Sequence, residues 1–274
     1  LGMAWLLCQS SCVSRKAIGY LTGLDFARDL RQTGVLGEIC PKRCNSRLWS
    51  GCQSETFNLQ PQNCNFSPMH IAIAGNIGAG KTTLADKLAV HYGWEMLPER
   101  PEENPYLADF YEDMPRWAFQ VQIHFLATRF EQILTIGRSD KVYVQDRTIY
   151  EDAYVFARNL HTSGLLDLHD YDTYLRLFNN MMQLVRPPDL LIYLDAGLPK
   201  LTLQVKKRGK VYEANVEPAY LAALQTHYRD WIASYRESPL LHIDTNGMDF
   251  VARHADLNNI IAQVDAKLAE TKMP

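Results

Sequence analysis

From His70 onward, apolar residues recur along the chain in two alternating rhythms. Short runs that are continuously apolar or β-branched, at 71–74, 94–97, 141–144, 189–194 and 240–243, predict strands. The run at 189–194 is apolar on successive residues, as in a strand buried on both faces. Between these runs the apolar positions fall three and four apart, which predicts helices. The first passes through Leu84, Leu88 and Ala89 and ends at Gly93. The others lie near 104–113, 115–137, 149–163, 170–185, 199–208, 217–235 and 248–269. In the long helix opened by Pro115, the residues Trp117, Val121, Phe125, Phe130 and Leu134 are expected in the core. Pro187 and Pro188 stop the helix before the fourth strand. Strands alternating with helices imply an α/β fold, a central parallel sheet of about five strands with helices on both faces.

The turn after the first strand carries the chemistry. Gly75, Asn76, Ile77, Gly78, Ala79, Gly80, Lys81, Thr82 and Thr83 have the spacing of a phosphate-binding loop between a strand and a helix. Its glycines let successive backbone N–H groups turn toward phosphate oxygens, and the helix that follows adds its positive end. Lys81 is expected on the β- and γ-phosphates, and the Thr82 hydroxyl on Mg²⁺. The chain is therefore expected to handle a nucleoside triphosphate.

Composition separates this part from what precedes it. All six cysteines lie at or before Cys64, and residues 1–68 carry 7 Lys/Arg against 4 Asp/Glu, where 69–274 carry 21 against 27. Residues 1–68 read as an extension to a domain over 69–274, with Met69 at the junction. A spurious or dispensable segment, a targeting segment and an accessory element all fit the extension. Cys40, Cys44, Cys52 and Cys64 lack the paired spacing of a zinc site. A domain that uses a triphosphate and has no cysteine gains nothing from an oxidising compartment, so the expected location is the cytoplasm. The formal net charge of −3 argues against a broadly basic nucleic-acid binder, no apolar stretch suggests a membrane span, and the eight histidines show no metal-ligand spacing.

Charged groups cluster at the ends of further strands: Glu99 after the second, Asp146 and Arg147 after the third. Taken with the phosphate loop, Asn104-Pro-Tyr, Phe110-Tyr111, Gln122, the segment Asp146-Arg-Thr-Ile-Tyr-Glu-Asp152, and a basic run before Glu213, the chain resembles the deoxyribonucleoside kinase family. Its bacterial deoxyadenosine/deoxyguanosine kinase branch is the nearest in pattern. The resemblance covers nearly all of 69–274 and none of 1–68. It implies a P-loop kinase that uses ATP and Mg²⁺ to phosphorylate the 5′-hydroxyl of a deoxyribonucleoside in DNA-precursor salvage, and a homodimer joined through the helices around 115–137 and 150–163.

Phosphoryl transfer runs in line, and the attacking oxygen must lose its proton, so a base is needed beside the acceptor hydroxyl. The resemblance gives that role to Glu99, while Glu102 and Glu103 read as solvated carboxylates. Where the family usually has Glu-Pro or Glu-Asp, this chain has Glu99-Arg100-Pro101, and an Arg folded back on Glu99 would favour its ionised form. Arg147 is a planar, permanent cation suited to the phosphoryl group in flight, and Asp146 is expected beside Mg²⁺. Lys206, Arg208 and Lys210 are expected over the ATP phosphates, with Lys207 read as part of a solvated helix end. At Lys210 relatives often have Arg, and Lys binds phosphate only as a point charge. Tyr111 and Glu213 match the pair that holds the deoxyribose 3′-hydroxyl. Gln122 matches the residue on the base edge, and Phe156 the ring packed on the base. Family members that act on purines or deoxycytidine resemble this chain in having both Arg129 and Asp152, so the resemblance implies deoxyadenosine first, then deoxyguanosine or deoxycytidine. The rivals are a thymidylate-type nucleoside monophosphate kinase, which needs acceptor-site arginines where this chain has Glu99, and a guanine-nucleotide switch, for which no Asn-Lys-x-Asp sequence occurs.

Overall fold

Five parallel strands form one sheet, and their order sets where the reactive loops meet. The structure, a computed structural model, describes residues 69–209 and 217–271; residues 1–68, Lys210 and Glu213 lie outside them. The strands are β1 (Met69–Gly75), β2 (Glu95–Leu97), β3 (Val142–Asp146), β4 (Leu190–Asp195) and β5 (Leu240–Asp244), in spatial order β2-β3-β1-β4-β5. The chain leaves β1 toward β2 on one side and later returns past β1 to β4 on the other. The crevice between β1 and β3 is therefore a topological switch point, where open α/β sheets bind ligands at the carboxyl ends of their strands.

Alternation along β1 sorts its side chains into two layers. Ile71 and Ile73 face a core with Leu84 and Leu88 of α1 (Lys81–Tyr92), Leu201 of α6 (Leu198–Arg208), and Ile260 and Val264 of α8 (His254–Thr271). Full burial of each such side chain is worth roughly 1.5–3 kcal/mol. On the other face Ala72 and Ala74 meet α3 (Met114–Gly137), α5 (Leu168–Met182) and α7 (Pro218–Ser234). The helix here named α4 packs in the same layer; it runs as Ile149–Glu151, a π-helical stretch Asp152–Ala157, and Arg158–Thr162. A short α2 (Leu107–Glu112) packs through Phe110 on the start of α3. No helix among the described residues is long and apolar enough to cross a membrane.

Three elements depart from the pattern read in the sequence. The expected helix at 104–113 begins only at Leu107, because the Asn104 side chain accepts from the Tyr106 N–H and donates to the Val121 carbonyl, closing a turn instead. The last helix begins at His254, not 248, because the Asp249 carboxylate accepts from the N–H groups of Val251 and Ala252. In α3 the buried line is Ala118, Gln122, Leu126, Arg129, Ile133 and Ile136. Of the apolar residues expected there, only Val121 is buried; Trp117, Phe125, Phe130 and Leu134 are half-buried beside that line. Two polar residues hold core positions because they serve a cavity, and they shift the apparent phase of the helix.

Candidate active site

A cavity of about 570 Å³ opens at the carboxyl ends of β1, β2 and β3. Its floor is the phosphate loop. Gly78 (φ 83°) and Gly80 (φ 93°) take left-handed conformations, and a Cβ on Gly80 would lie 2.8 Å from the ring of Phe250, so a side chain fits neither the backbone nor the space. Asn76 holds the loop's entry, accepting from the Ile77 N–H and donating to the Leu221 carbonyl. Lys81 is folded back onto the carbonyls of Gly75 (2.8 Å) and Asn76 (3.2 Å). Burial, with help from nearby Arg147, lowers its pKa to about 8.

Above the loop stands a web of buried charge. One oxygen of Glu99, Oε1, lies 2.9 Å from Arg129 Nη2 and 2.7 Å from Arg147 Nε. The Arg147 Nε–H does not point along that line, so the second attraction is coulombic without an aligned hydrogen bond. Burial pushes the Glu99 carboxyl up, but the two guanidiniums and Lys81 overcome it and bring the pKa down to about 2. Arg100 turns away to the exposed Glu103 at 3.0 Å and leaves Glu99 to these partners. Arg129 also lies 3.6 Å from Asp152, where neither the Nε–H nor the facing carboxylate oxygen has an aligned partner. Burial therefore outweighs the arginines at Asp152 and pushes its pKa up to about 7.

Arg147 reaches this web through an unusual backbone. Its φ of 74° makes it the one non-glycine residue with positive φ among those described, at a cost of about 1–2 kcal/mol. The turn follows the end of β3 at once, and Thr148 with Glu151 forms a reciprocal capping box that starts α4. The kink is fixed on one side by the Arg147 N–H to Ile73 carbonyl bond, and its guanidinium lies 4.4 Å over the Phe156 ring. Asp152 and Phe156 both come from the π-helical stretch, a form of helix that recurs at functional sites.

Of the residues expected to act, Ile77, Gly78, Gly80, Lys81, Thr82 and Thr83 line the cavity floor. Tyr111, Gln122, Asp152 and Phe156 line its far wall with Glu99 and Arg147. Gly75, Asn76 and Ala79 support the loop from beneath, while Arg129 and Asp146 are buried behind the wall. The Gln122 side-chain carbonyl is buried with no partner, and the residue lines the cavity. On α6 it is Lys207 and Arg208 that line the cavity, along with Gln204, and not Lys206. Nothing in the sequence distinguishes Lys207 from its neighbour except helical phase.

The donor set fits a magnesium ion. The Thr82 hydroxyl donates to Asp146 Oδ2 at 2.5 Å, and Asp146 Oδ1 is fully buried without a partner. No group of three or more His, Cys, Asp or Glu among the described residues could hold a metal alone. Mg²⁺ asks for less than that, since one or two protein oxygens suffice when phosphates and water complete the octahedron.

A phosphate loop at the switch point of a five-stranded parallel sheet, with a carboxylate and an arginine at the adjoining strand ends, is the P-loop kinase arrangement. The family model for deoxynucleoside kinases matches residues 71–270, and the chain belongs to that family of phosphotransferases. The deoxyadenosine/deoxycytidine kinase of Bacillus subtilis is 36% identical over 196 residues, covering 71% of this chain and 90% of the relative. The deoxyadenosine kinase of Dictyostelium discoideum is 43% identical over 183 residues, 66% of this chain and 74% of the relative. Among solved structures, the deoxyadenosine kinase of M. mycoides with dCMP and dCDP bound superposes with a TM-score of 0.65 at 28% identity, over 72% of this chain and all of that one.

Proposed function

We propose that the chain transfers the γ-phosphoryl group of ATP to the 5′-hydroxyl of a purine deoxynucleoside, deoxyadenosine first, in the cytoplasmic salvage of DNA precursors. The observation that carries this reading is the single cavity that joins the phosphate loop to Glu99, Arg147 and the unpartnered carbonyl of Gln122. The phosphate loop and Lys81 take the triphosphate, with Lys207 and Arg208 closing over it from α6. Thr82 and Asp146 would hold Mg²⁺, which would neutralise charge on the triphosphate.

On the acceptor side, the Gln122 amide meets the base edge and Phe156 packs on its face. Tyr111 holds the deoxyribose, and Arg129 with Asp152 sets the choice of base. A bond forms between the 5′ oxygen and the γ-phosphorus, the bond to the β–γ bridging oxygen breaks, and the hydroxyl proton passes to Glu99. Arg147 stabilises the charge on the phosphoryl oxygens. Residues 69–274 carry the activity, and the working form is a homodimer.

The test is steady-state phosphorylation with Mg-ATP of the four deoxynucleosides, adenosine and thymidine monophosphate. Deoxyadenosine should lead, with deoxyguanosine or deoxycytidine next. Turnover of the monophosphate alone would keep the fold and overturn the roles of Glu99 and Gln122.

A further inference from the structure

Two buried groups without a part in that scheme connect the phosphate loop to the arginine turn. Glu151, on α4, is fully buried. Its Oε2 accepts from the Thr148 N–H at 2.7 Å, and its Oε1 accepts from the Gly75 N–H at 3.2 Å. The same Oε1 lies 2.7 Å from the Tyr228 hydroxyl and 3.6 Å from Arg147 Nη1. Tyr228, fully buried on α7, also brings its hydroxyl to 2.8 Å from the Gly75 carbonyl, and Arg147 Nη1 donates to that hydroxyl at 3.4 Å.

A phenol has one proton to give. The Tyr228 hydroxyl stands within bonding distance of two acceptors, the Gly75 carbonyl and the Glu151 carboxylate, and can serve one of them at a time. Burial, reinforced by Glu151, pushes the phenol's pKa well up, so the proton stays on it. The Gly75 carbonyl has a second donor in the structure, the Lys81 ammonium.

We propose that Tyr228 and Glu151 are positioning residues that couple the loading of the phosphate loop to the release of Glu99 from Arg147. This rests on the reading of Lys81 as a triphosphate ligand and of Glu99 as the base. While Lys81 bonds the Gly75 carbonyl, the Tyr228 proton serves Glu151, and Arg147 stays against Glu99. A triphosphate draws Lys81 away, and the Gly75 carbonyl is left as a buried acceptor without its ammonium, a costly state. The Tyr228 O–H then turns to it. Glu151 Oε1 has now lost a donor, and the nearest replacement is Arg147 Nη1. Movement of the guanidinium toward Glu151 weakens its hold on Glu99, whose carboxylate becomes more basic as the 5′-hydroxyl arrives. No covalent bond changes in this sequence; one O–H rotates, and one guanidinium shifts between two carboxylates.

The experiment is equilibrium titration of the full chain with Mg²⁺ and an ATP analogue whose β–γ bridge is a methylene group, and with deoxyadenosine, each alone and then together. In the wild type the analogue should tighten deoxyadenosine by a factor in the range of about 5 to 150. Tyr228→Phe should bring that factor to within about twofold of unity while each ligand alone still binds within about threefold of wild type. Glu151→Gln should remove the coupling to the same extent, and the double variant should lose no more than either single one. Where Tyr228→Phe does not fold, Glu151→Gln carries the same reading. A merely structural role would lower thermal stability or weaken both ligands without changing the factor. An unchanged factor in the variants, or no coupling in the wild type, overturns the inference. A wild type that binds the analogue but no deoxynucleoside instead contradicts the functional reading itself, before any variant is made.

Discussion

Arg147 shows what a single residue can be made to tolerate. Its left-handed backbone is the cost of aiming a guanidinium from the end of β3 back across the strand ends, where Glu99 and the Phe156 ring receive it. Backbone and side chain can be separated experimentally. Arg147→Gly and Arg147→Ala both remove the guanidinium, so both should lose most turnover. Only Ala keeps a Cβ at φ 74°, and it should unfold in urea with about 1 kcal/mol less stability than Gly. Equal stabilities, or a more stable Ala, would mean that the turn relaxes and is not held.

At the scale of elements, α6 makes the sharpest distinction. Its last turn carries three adjacent cations, all exposed, of which Lys207 and Arg208 line the cavity and Lys206 does not. Lys207→Ala should therefore raise the KM for ATP by roughly tenfold, the order of one charge-assisted phosphate contact, while Lys206→Ala should leave it near wild type. The reverse ranking would place the wrong face of α6 over the phosphates. The same element shows what was legible in the sequence. The phosphate loop could be read residue by residue, because its backbone needs glycine at fixed points, and the strands could be read as apolar runs. The orientation of the short cationic run could not, since the stripe of Leu201 and Val205 turns α6 toward the core but does not say which flank of the helix meets the cavity. In α3 the buried Gln122 and Arg129 had the opposite effect: polar residues in core positions made the true stripe look like the wrong one. The π-helical stretch of α4 left no pattern at all, because its residues suit an ordinary helix equally well. Tyr228 carries no signal in the sequence, and Glu151 stands there only as one residue of the Asp146–Asp152 segment; the structure is what brings the two together.

The molecule as a whole brings together charges far apart in sequence, and its stability should report their titration. Burial raises the Asp152 pKa from 3.8 to about 7, so across that interval the folded state keeps a proton that the unfolded chain has released. Stability contributed by this group is full below about pH 4 and is lost as pH rises through about 7. The thermal midpoint of the wild type should consequently fall relative to that of Asp152→Asn between those two pH values. A difference between the two proteins that stays constant over the interval would contradict the buried, protonated state. Glu99 titrates in the opposite sense: its carboxyl is held at about 2 in the folded protein, so its contribution is present above its ordinary value near 4.5 and is lost as pH falls toward 2.

That depressed pKa also frames the central claim, because a carboxylate clamped by two arginines must still accept the proton of the acceptor hydroxyl. The most direct measurement compares Glu99→Gln with wild type in two assays, Mg-ATP affinity at equilibrium and kcat with deoxyadenosine. The amide keeps the shape and can still lie near Arg129 and Arg147, but it cannot take a proton. ATP affinity should remain within a few-fold of wild type while kcat falls by about 10²–10⁴; a variant that turns over at near the wild-type rate would show that Glu99 is not the base.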